Sequence, residues 1–431
     1  MKDRVYIIGV GMTNIVKQDG GSFEHQCDIA ISEAMEDAGL NPKGDQAAVG
    51  GIWYGNCAQG MLTSQHCIRG QVILRRLGFE SMPVVNVENA CATASTALHQ
   101  AIHYVMAGGS DLALAVGIEK VLPDLNALED LPEIVAALPY MTLSAFWMGS
   151  EQDRKKLYIE KWRKEKSEVL GIPYEETNVG GDRSPFMDYY AVKAMKVMKK
   201  YGYTQEQLAR VCSKTHHHST MNPKAQYRKE ISWEAVMADK AITYPLTRPM
   251  CAPIGEGCAA AIVCSEKYIK ENRAIKDPVQ VLASVLVSGR ERGDYDQDIS
   301  GRGAELAFRQ AGLDRKDIDI LELHDATSFG EIYQTAQAGF CKSEDAGIYC
   351  SSGATSLGGE LPTNVSGGLI SRGHPVGCTG LAQAYELVTQ LRGRAGERQV
   401  KGAKIGMQLN GGGLIGVEEA ALGAHIYRKA E

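Results

Sequence analysis

The chain has 431 residues, 44% of them hydrophobic and 23% charged, with a formal net charge of −6. This is the balance of an ordinary globular protein of two to three domains. It gives no electrostatic reason to expect nucleic acid or an anionic membrane surface as the main partner. No apolar run approaches the ~18 residues of a membrane span, and the amino-terminal apolar run is too short for a secretion signal, so a cytoplasmic protein is expected.

RVYIIGVG, residues 4–11, reads as an apolar first strand. CDIAISEAMEDAGL (27–40) places apolar residues at helical spacing and stops at Gly39. GGIWYGN (50–56) and PVVNVEN (83–89) read as strands, and a helix of small and apolar residues runs from Cys91 to Met106, closed by Ala107-Gly108-Gly109. DLALAVGIEK (111–120) is apolar enough for a strand buried on both faces.

From residue 121 to about 245 the character changes. Prolines, the aromatics Phe146, Trp147 and Trp162, and the charged stretch EQDRKKLYIEKWRKEKSEVLG (151–171) suggest a mostly helical excursion that could cover a substrate. The alternation then resumes with PVQVLASVLVSG (strand), GAELAFRQAGL (helix) and DIDILELHDA (strand). It continues with GHPVGCTGLAQAYELVTQLRG (loop to helix) and AKIGMQLNGGG, a strand opening into a glycine loop. The order loop, small-residue helix, glycine stop and apolar strand follows Cys91, and it follows His374 too. An α/β protein of two like halves is expected, with loops that meet between them. The halves are 1–120 plus 246–272 and 273–431, with 121–245 inserted.

Eleven cysteines are scattered without a CxxC pair, and Cys251, Cys258 and Cys264 lie in an Ala-rich apolar stretch, so reduced, mostly buried thiols and no metal site are expected. His216-His217-His218 is the one histidine cluster, but consecutive helical residues point apart, which argues against a three-ligand centre. Three other positions invite chemistry. Cys91 follows a strand and opens a helix, whose unpaired N–H groups favour the thiolate. His324 ends a strand, where α/β folds keep their crevices, and His374 sits in a glycine-bounded turn before a helix. Singly, each is as well explained by packing; together, a thiol and two imidazoles suit acyl transfer.

CATAS with its following helix, GHPVGCTG and the terminal NGGGLIG resemble the thiolase superfamily. With VENACATAS, HHHSTMNPKAQYRK and LELHDA in the same order, nearly the whole chain resembles the sterol-carrier-protein type. The resemblance implies an α/β thiolase fold: two βαβαβ-type halves in five αβαβα layers with an inserted loop domain, assembled as a homodimer or homotetramer. It implies an acyltransferase that cleaves a 3-oxoacyl-CoA with CoA, or runs the reverse Claisen condensation, through an acyl-cysteine. Coenzyme A and acyl-CoA would be substrates carried by the 121–245 region, with no tightly bound cofactor. By the same resemblance Cys91 is the acylated nucleophile, His374 its activating base, and His324 lines an oxyanion site and handles protons. The backbone N–H groups of Cys91 and Gly411 would hold the acyl-enzyme oxyanion.

The chain departs from the family in its second acid/base. The terminal CxG position reads Leu409-Asn410-Gly411, and the HDCF position reads His324-Asp325-Ala326-Thr327, so neither usual cysteine is there. Cys378, within GHPVGCTG, is one candidate replacement; histidine or water is another. Three readings stay open: a thiolase, including one for an unusual substrate such as an aryl-acylsuccinyl-CoA; a Cys-His-His condensing synthase; and a non-catalytic acyl-CoA-binding subunit. A small partner with a zinc ribbon and an OB-fold, as some relatives have, is a further expectation.

Overall fold

The computed structural model describes residues 4–19, 21–120, 152–180, 183–272 and 274–430. The expectations for Phe146, Trp147 and the rest of 121–151 lie outside the described residues. Eleven strands are present among the described residues: β1 (Val5–Met12), β2 (Ile52–Gly55), β3 (Val84–Val87), β4 (Leu112–Glu119), β5 (Ala241–Thr243), β6 (Leu246–Thr247), β7 (Gly257–Ser265), β8 (Val279–Ser288), β9 (Ile320–Glu322), β10 (Ile405–Gly412) and β11 (Ala421–Lys429). Nine of them form one sheet in the order β3-β2-β4-β7-β1-β8-β11-β10-β9, with β5 and β6 a separate ribbon.

The sheet contains the same motif twice. In the first half β2 and β4 are parallel, β4 and β7 antiparallel, and β7 and β1 antiparallel. In the second half β9 and β10, β10 and β11, and β11 and β8 repeat those three relations. A short join, in which Val5 faces Val281, links them. The first half adds β3 outside β2; the second has at that place, among the described residues, the bridge from Leu321 to Thr363. Cys91 follows β3, and His374 follows that bridge.

Layering follows from which faces are apolar. All eight residues of both β1 and β4 are buried, as strands covered on both faces must be. The helices Thr93–Met106 and Thr379–Leu391 pack on each other and on both half-sheets, and their Ala and Leu residues form the central core. Helix Phe23–Asp37 covers the outer face of the first half and helix Ile299–Ala311 that of the second. The result is helix, sheet, helices, sheet, helix. Gly380 makes the central contact possible: a Cβ there would lie 2.2 Å from Ser95 Oγ.

The described part of the excursion packs helices Pro185–Tyr201 and Gln205–Thr220 against Phe329 and Ile332, on the helix just after His324. Trp162 is buried in this cluster. Among the described residues no helix is long and apolar enough to cross a membrane.

Candidate active site

The helix after β3 starts later than its sequence pattern suggests. Residues Ala90–Ala92 form a tight turn, the α-helix begins at Thr93, and Ala90 takes a left-handed φ of +48°. Such a conformation costs a residue with a Cβ ~1–3 kcal/mol and persists only where its surroundings impose it. Here Asn89 N–H donates to Thr93 Oγ1 (2.8 Å) and Ala90 N–H to Glu88 Oε1 (2.6 Å). The turn presents Cys91 to a cavity of about 1440 Å³ that is also lined by His324, His374, Gly412, Gly413 and Glu419.

His374 Nε2 lies 3.1 Å from Cys91 Sγ. Its other nitrogen, Nδ1, is 2.7 Å from Thr379 Oγ1, whose own proton goes to the carbonyl of Pro375 (3.0 Å). Thr379 can therefore only accept from the ring. That holds the proton on Nδ1 and turns the lone pair of Nε2 to the thiol.

His324 is oriented by a longer chain. Gln408 Nε2 donates to the carbonyl of Gly380 (3.1 Å) and to Ser95 Oγ (3.2 Å). Ser95 then donates to Asn410 Oδ1 (2.8 Å), and Asn410 Nδ2 donates to His324 Nδ1 (3.1 Å). The neutral ring thus carries its proton on Nε2, as a donor. The two imidazoles stand edge to face, 5.3 Å apart at 81°.

Burial decides the resting charges. It pushes the Cys91 thiol up to about 12, against the pull of the N–H groups of Gly413 and of Cys91 itself. The thiolate expected from a helix N-terminus is thus not the resting form: Cys91 precedes the helix and is enclosed, and desolvation outweighs the nearby dipoles. Burial also lowers His324 to about 3 and His374 well below the usual histidine range, with the buried Arg372 adding to both. Arg372 is fixed by Glu322 at 3.3 Å. The pair at rest is a neutral thiol hydrogen-bonded to a neutral imidazole.

The ligating atoms of Cys91, His324 and His374 lie within 4.8 Å of one another, a spacing that could also hold a metal ion. The hydrogen-bond network fixes which nitrogen of each ring carries the proton. The histidine run diverges: His216 lines the cavity, His217 pairs with Glu230 at 2.8 Å, and His218 sits between the carbonyl of Asn364 and the N–H of Leu357.

The thiolase N-terminal domain family matches residues 5–129, and the thiolase C-terminal domain-like family matches residues 290–422. The acetyl-CoA acetyltransferase of Methanothermobacter thermautotrophicus is 34% identical over 434 residues, covering 100% of both chains. The chain belongs to the thiolase family. Bovine sterol carrier protein 2 is 31% identical over 96% of this thiolase and 72% of its own length. The benzoylsuccinyl-CoA thiolase subunit BbsB of Thauera aromatica is 29% identical, covering 93% and 92%. Among solved structures, an Ltp2-ChsH2(DUF35) aldolase shares the fold with a TM-score of 0.73 at 21% identity, over 99% of this chain and 98% of that one. This protein is therefore a thiolase-type acyltransferase of the sterol-carrier-protein kind.

Two expected site residues of this thiolase lie elsewhere than the motif suggests. Gly411 stays in the β10 ladder opposite Leu422, while Gly412 and Gly413 line the cavity, and the N–H of Gly413 helps to lower the Cys91 thiol against the effect of burial. Gly413 follows the end of β10, where the backbone passes over the Cys91 turn. Gly412 must be glycine for that approach, since a Cβ there would lie 2.4 Å from the nitrogen of Ala92. Cys378 is fully buried in the central core and does not line the cavity.

Other contributors were not singled out as site residues, although Thr379 lies within GHPVGCTG and Asn410 within NGGGLIG. Thr379, Asn410 and Arg372 orient or bias the imidazoles. Glu119, at the buried end of β4, accepts from Asn56 Nδ2 (3.0 Å) and from the N–H groups of Cys57 (3.2 Å), Ala58 (2.9 Å) and Gly377 (3.1 Å). It ties the loop after β2 to the loop carrying His374. The only sequence signal for it was a carboxylate closing an otherwise apolar strand.

Proposed function

We propose that this thiolase carries the acyl group on Cys91 while it splits a 3-oxoacyl-CoA with CoA, or joins the same fragments in reverse. The observation that carries the reading is the 3.1 Å contact between Cys91 Sγ and the unprotonated nitrogen of His374. As sulfur attacks the C3 carbonyl, its proton passes to His374 Nε2, and the positive ring is held through Nδ1–H by Thr379. The N–H groups of Gly413 and Cys91 suit the oxyanion of the acyl-enzyme, and the Nε2–H of His324 suits the oxygen of the second thioester.

The cavity supports a large substrate. Its volume exceeds the ~300–1,000 Å³ usual for small-molecule pockets. Tyr190, Ile231, Ala252 and Ile254 give it apolar walls, and Arg228 and Lys229 stand exposed at its rim, where the phosphates of CoA would find positive charge. A bulky acyl group such as an aryl-acylsuccinyl chain fits such walls, and the likeness to the benzoylsuccinyl-CoA thiolase subunit favours that class. Intact-protein mass spectrometry after exposure to short-chain, long-chain and aryl acyl-CoAs tests this reading. One acyl group on the native chain and none on Cys91→Ala is expected. His374→Ala should load ~10²-fold or more slowly. Turnover by Cys91→Ala at the native rate would end the acyl-cysteine reading.

A further inference from the structure

Claisen chemistry needs a group that takes a proton from C2 of the attacking acyl-CoA, or returns one to the departing fragment. Neither family cysteine is available for this, and Cys378 is packed away in the core. The cavity wall carries another candidate, Glu419. Its side chain is only 4% exposed, it lines the same cavity as Cys91, His324 and His374, and its Oε2 has no hydrogen-bond partner among the described residues.

Local structure explains why it points there. The preceding Glu418 is tied on the opposite side by Arg292 (2.8 Å), Arg302 (2.7 Å) and the N–H groups of Arg290 (2.6 Å) and Ile299 (3.0 Å). Glu418 is thus held away from the cavity, and Glu419 is the one of the two that lines it. It lies over Gly411, where an added Cβ would sit 3.0 Å from Glu419 Cγ. That is the last residue of the Leu409-Asn410-Gly411 stretch that takes the place of the family's terminal cysteine motif.

We infer that Glu419 is the general acid and base at C2 in this thiolase, taking over the task of the absent cysteine. The inference rests on the acyl-Cys91 reading above and assigns its missing proton carrier. In cleavage, Cys91 sulfur bonds to C3, its proton goes to His374, and the C2–C3 bond breaks. The electron pair left on C2 takes the proton of the Glu419 carboxyl. The resulting carboxylate accepts the proton of the incoming CoA thiol as its sulfur attacks the acyl-Cys91 carbonyl. Cys91 sulfur leaves and recovers its proton from His374. In condensation the carboxylate removes the C2 proton first. Burial raises the affinity of this carboxyl for its proton while Lys193 opposes it, which suits a group that works in both forms.

The test is deuterium exchange into the acetyl methyl of acetyl-CoA in D2O, read by mass spectrometry beside acyl loading of Cys91. The full-length native enzyme, Glu419→Gln and Glu419→Asp are compared. Native enzyme is expected to exchange. The Gln variant should exchange at least ~100-fold more slowly, and the Asp variant, which keeps the carboxyl, should regain at least ~10-fold over Gln. Loading of Cys91 in the Gln variant shows that the site is folded. Smaller losses in Gln, or a native enzyme that loads Cys91 without exchange, overturn the inference. Exchange that depends on Glu419 while Cys91 never loads would instead sink the acyl-cysteine reading and leave the acid/base assignment intact.

Discussion

Replacing Thr379 by Val isolates what the orientation of His374 contributes, because the change keeps volume and removes one hydroxyl. Thr379 is fully buried, and among the described residues its hydroxyl bonds to two groups, His374 Nδ1 and the carbonyl of Pro375. Pro375 is not orphaned by the change, since it still accepts from the N–H groups of Cys378 (2.9 Å) and residue 379 (3.0 Å). The loss therefore falls on the ring. Either Nδ1–H remains without an acceptor, at a cost of ~1–3 kcal/mol, or the proton moves to Nε2 and the thiol faces a donor instead of a base. In both cases acylation loses about that much transition-state stabilisation, roughly 5- to 150-fold in rate. Rapid-quench measurement of acyl-Cys91 formation in a single turnover reads the effect, and Thr379→Ser should restore most of it. Acylation by the Val variant within twofold of native would refute the idea that Thr379 sets the tautomer.

Three further outcomes are expected. Iodoacetamide should label Cys91 slowly at neutral pH, with a rate rising about tenfold per pH unit from 7 to 10, because the thiol is pushed up to about 12; a rate that levels off below pH 9 would contradict the neutral resting pair. Cys378→Ser should leave C2 exchange and turnover near native, since that sulfur sits in the core and not on the cavity wall; loss of exchange with acylation intact would reinstate it as the acid/base. For Glu119, burial raises the folded carboxyl to about 7, above its ordinary value. The folded state therefore holds the extra proton, and this contribution to stability is complete below about pH 4.5 and lost as pH rises through 7. The difference in urea stability between native and Glu119→Gln should shrink from pH 5 to 8, and parallel curves would rule that out.

The three residues that meet at the cavity were legible in the sequence because each belongs to a short segment with an obvious backbone job: a strand-to-helix turn, a strand end, a glycine-bounded loop. Their supports were not. Asn410 stood out in the sequence only for the cysteine it replaces, yet in the fold it fixes the ring of His324 through Ser95, 315 positions away. Gly411 and Gly413 are equivalent in a run of three glycines until the point where β10 ends is known. Helix-end electrostatics favoured a thiolate at Cys91, but the sequence could not reveal how deeply that turn is enclosed. The paired relations of the two half-sheets followed the repeated order of loops and strands closely, because runs such as DLALAVGIEK leave a doubly covered strand as their one stable place.

That enclosure bears directly on how the site can work. A thiolate–imidazolium pair at rest would be highly nucleophilic, but it would have to survive desolvation that lifts the thiol and depresses both imidazoles. The structure stores no such charge. The buried Arg372–Glu322 pair is fixed away from the cavity, and Gly413 and His324 line the cavity where negative charge would develop. Charge separation then occurs only while an acyl carbonyl is present to receive the electrons, in surroundings already oriented for it. Such a site cannot supply a resting base strong enough for C2 from its own thiol–imidazole pair. A carboxyl on the same cavity wall that can hold a proton and release it meets that need, and Glu419 stands there with one oxygen unpartnered among the described residues.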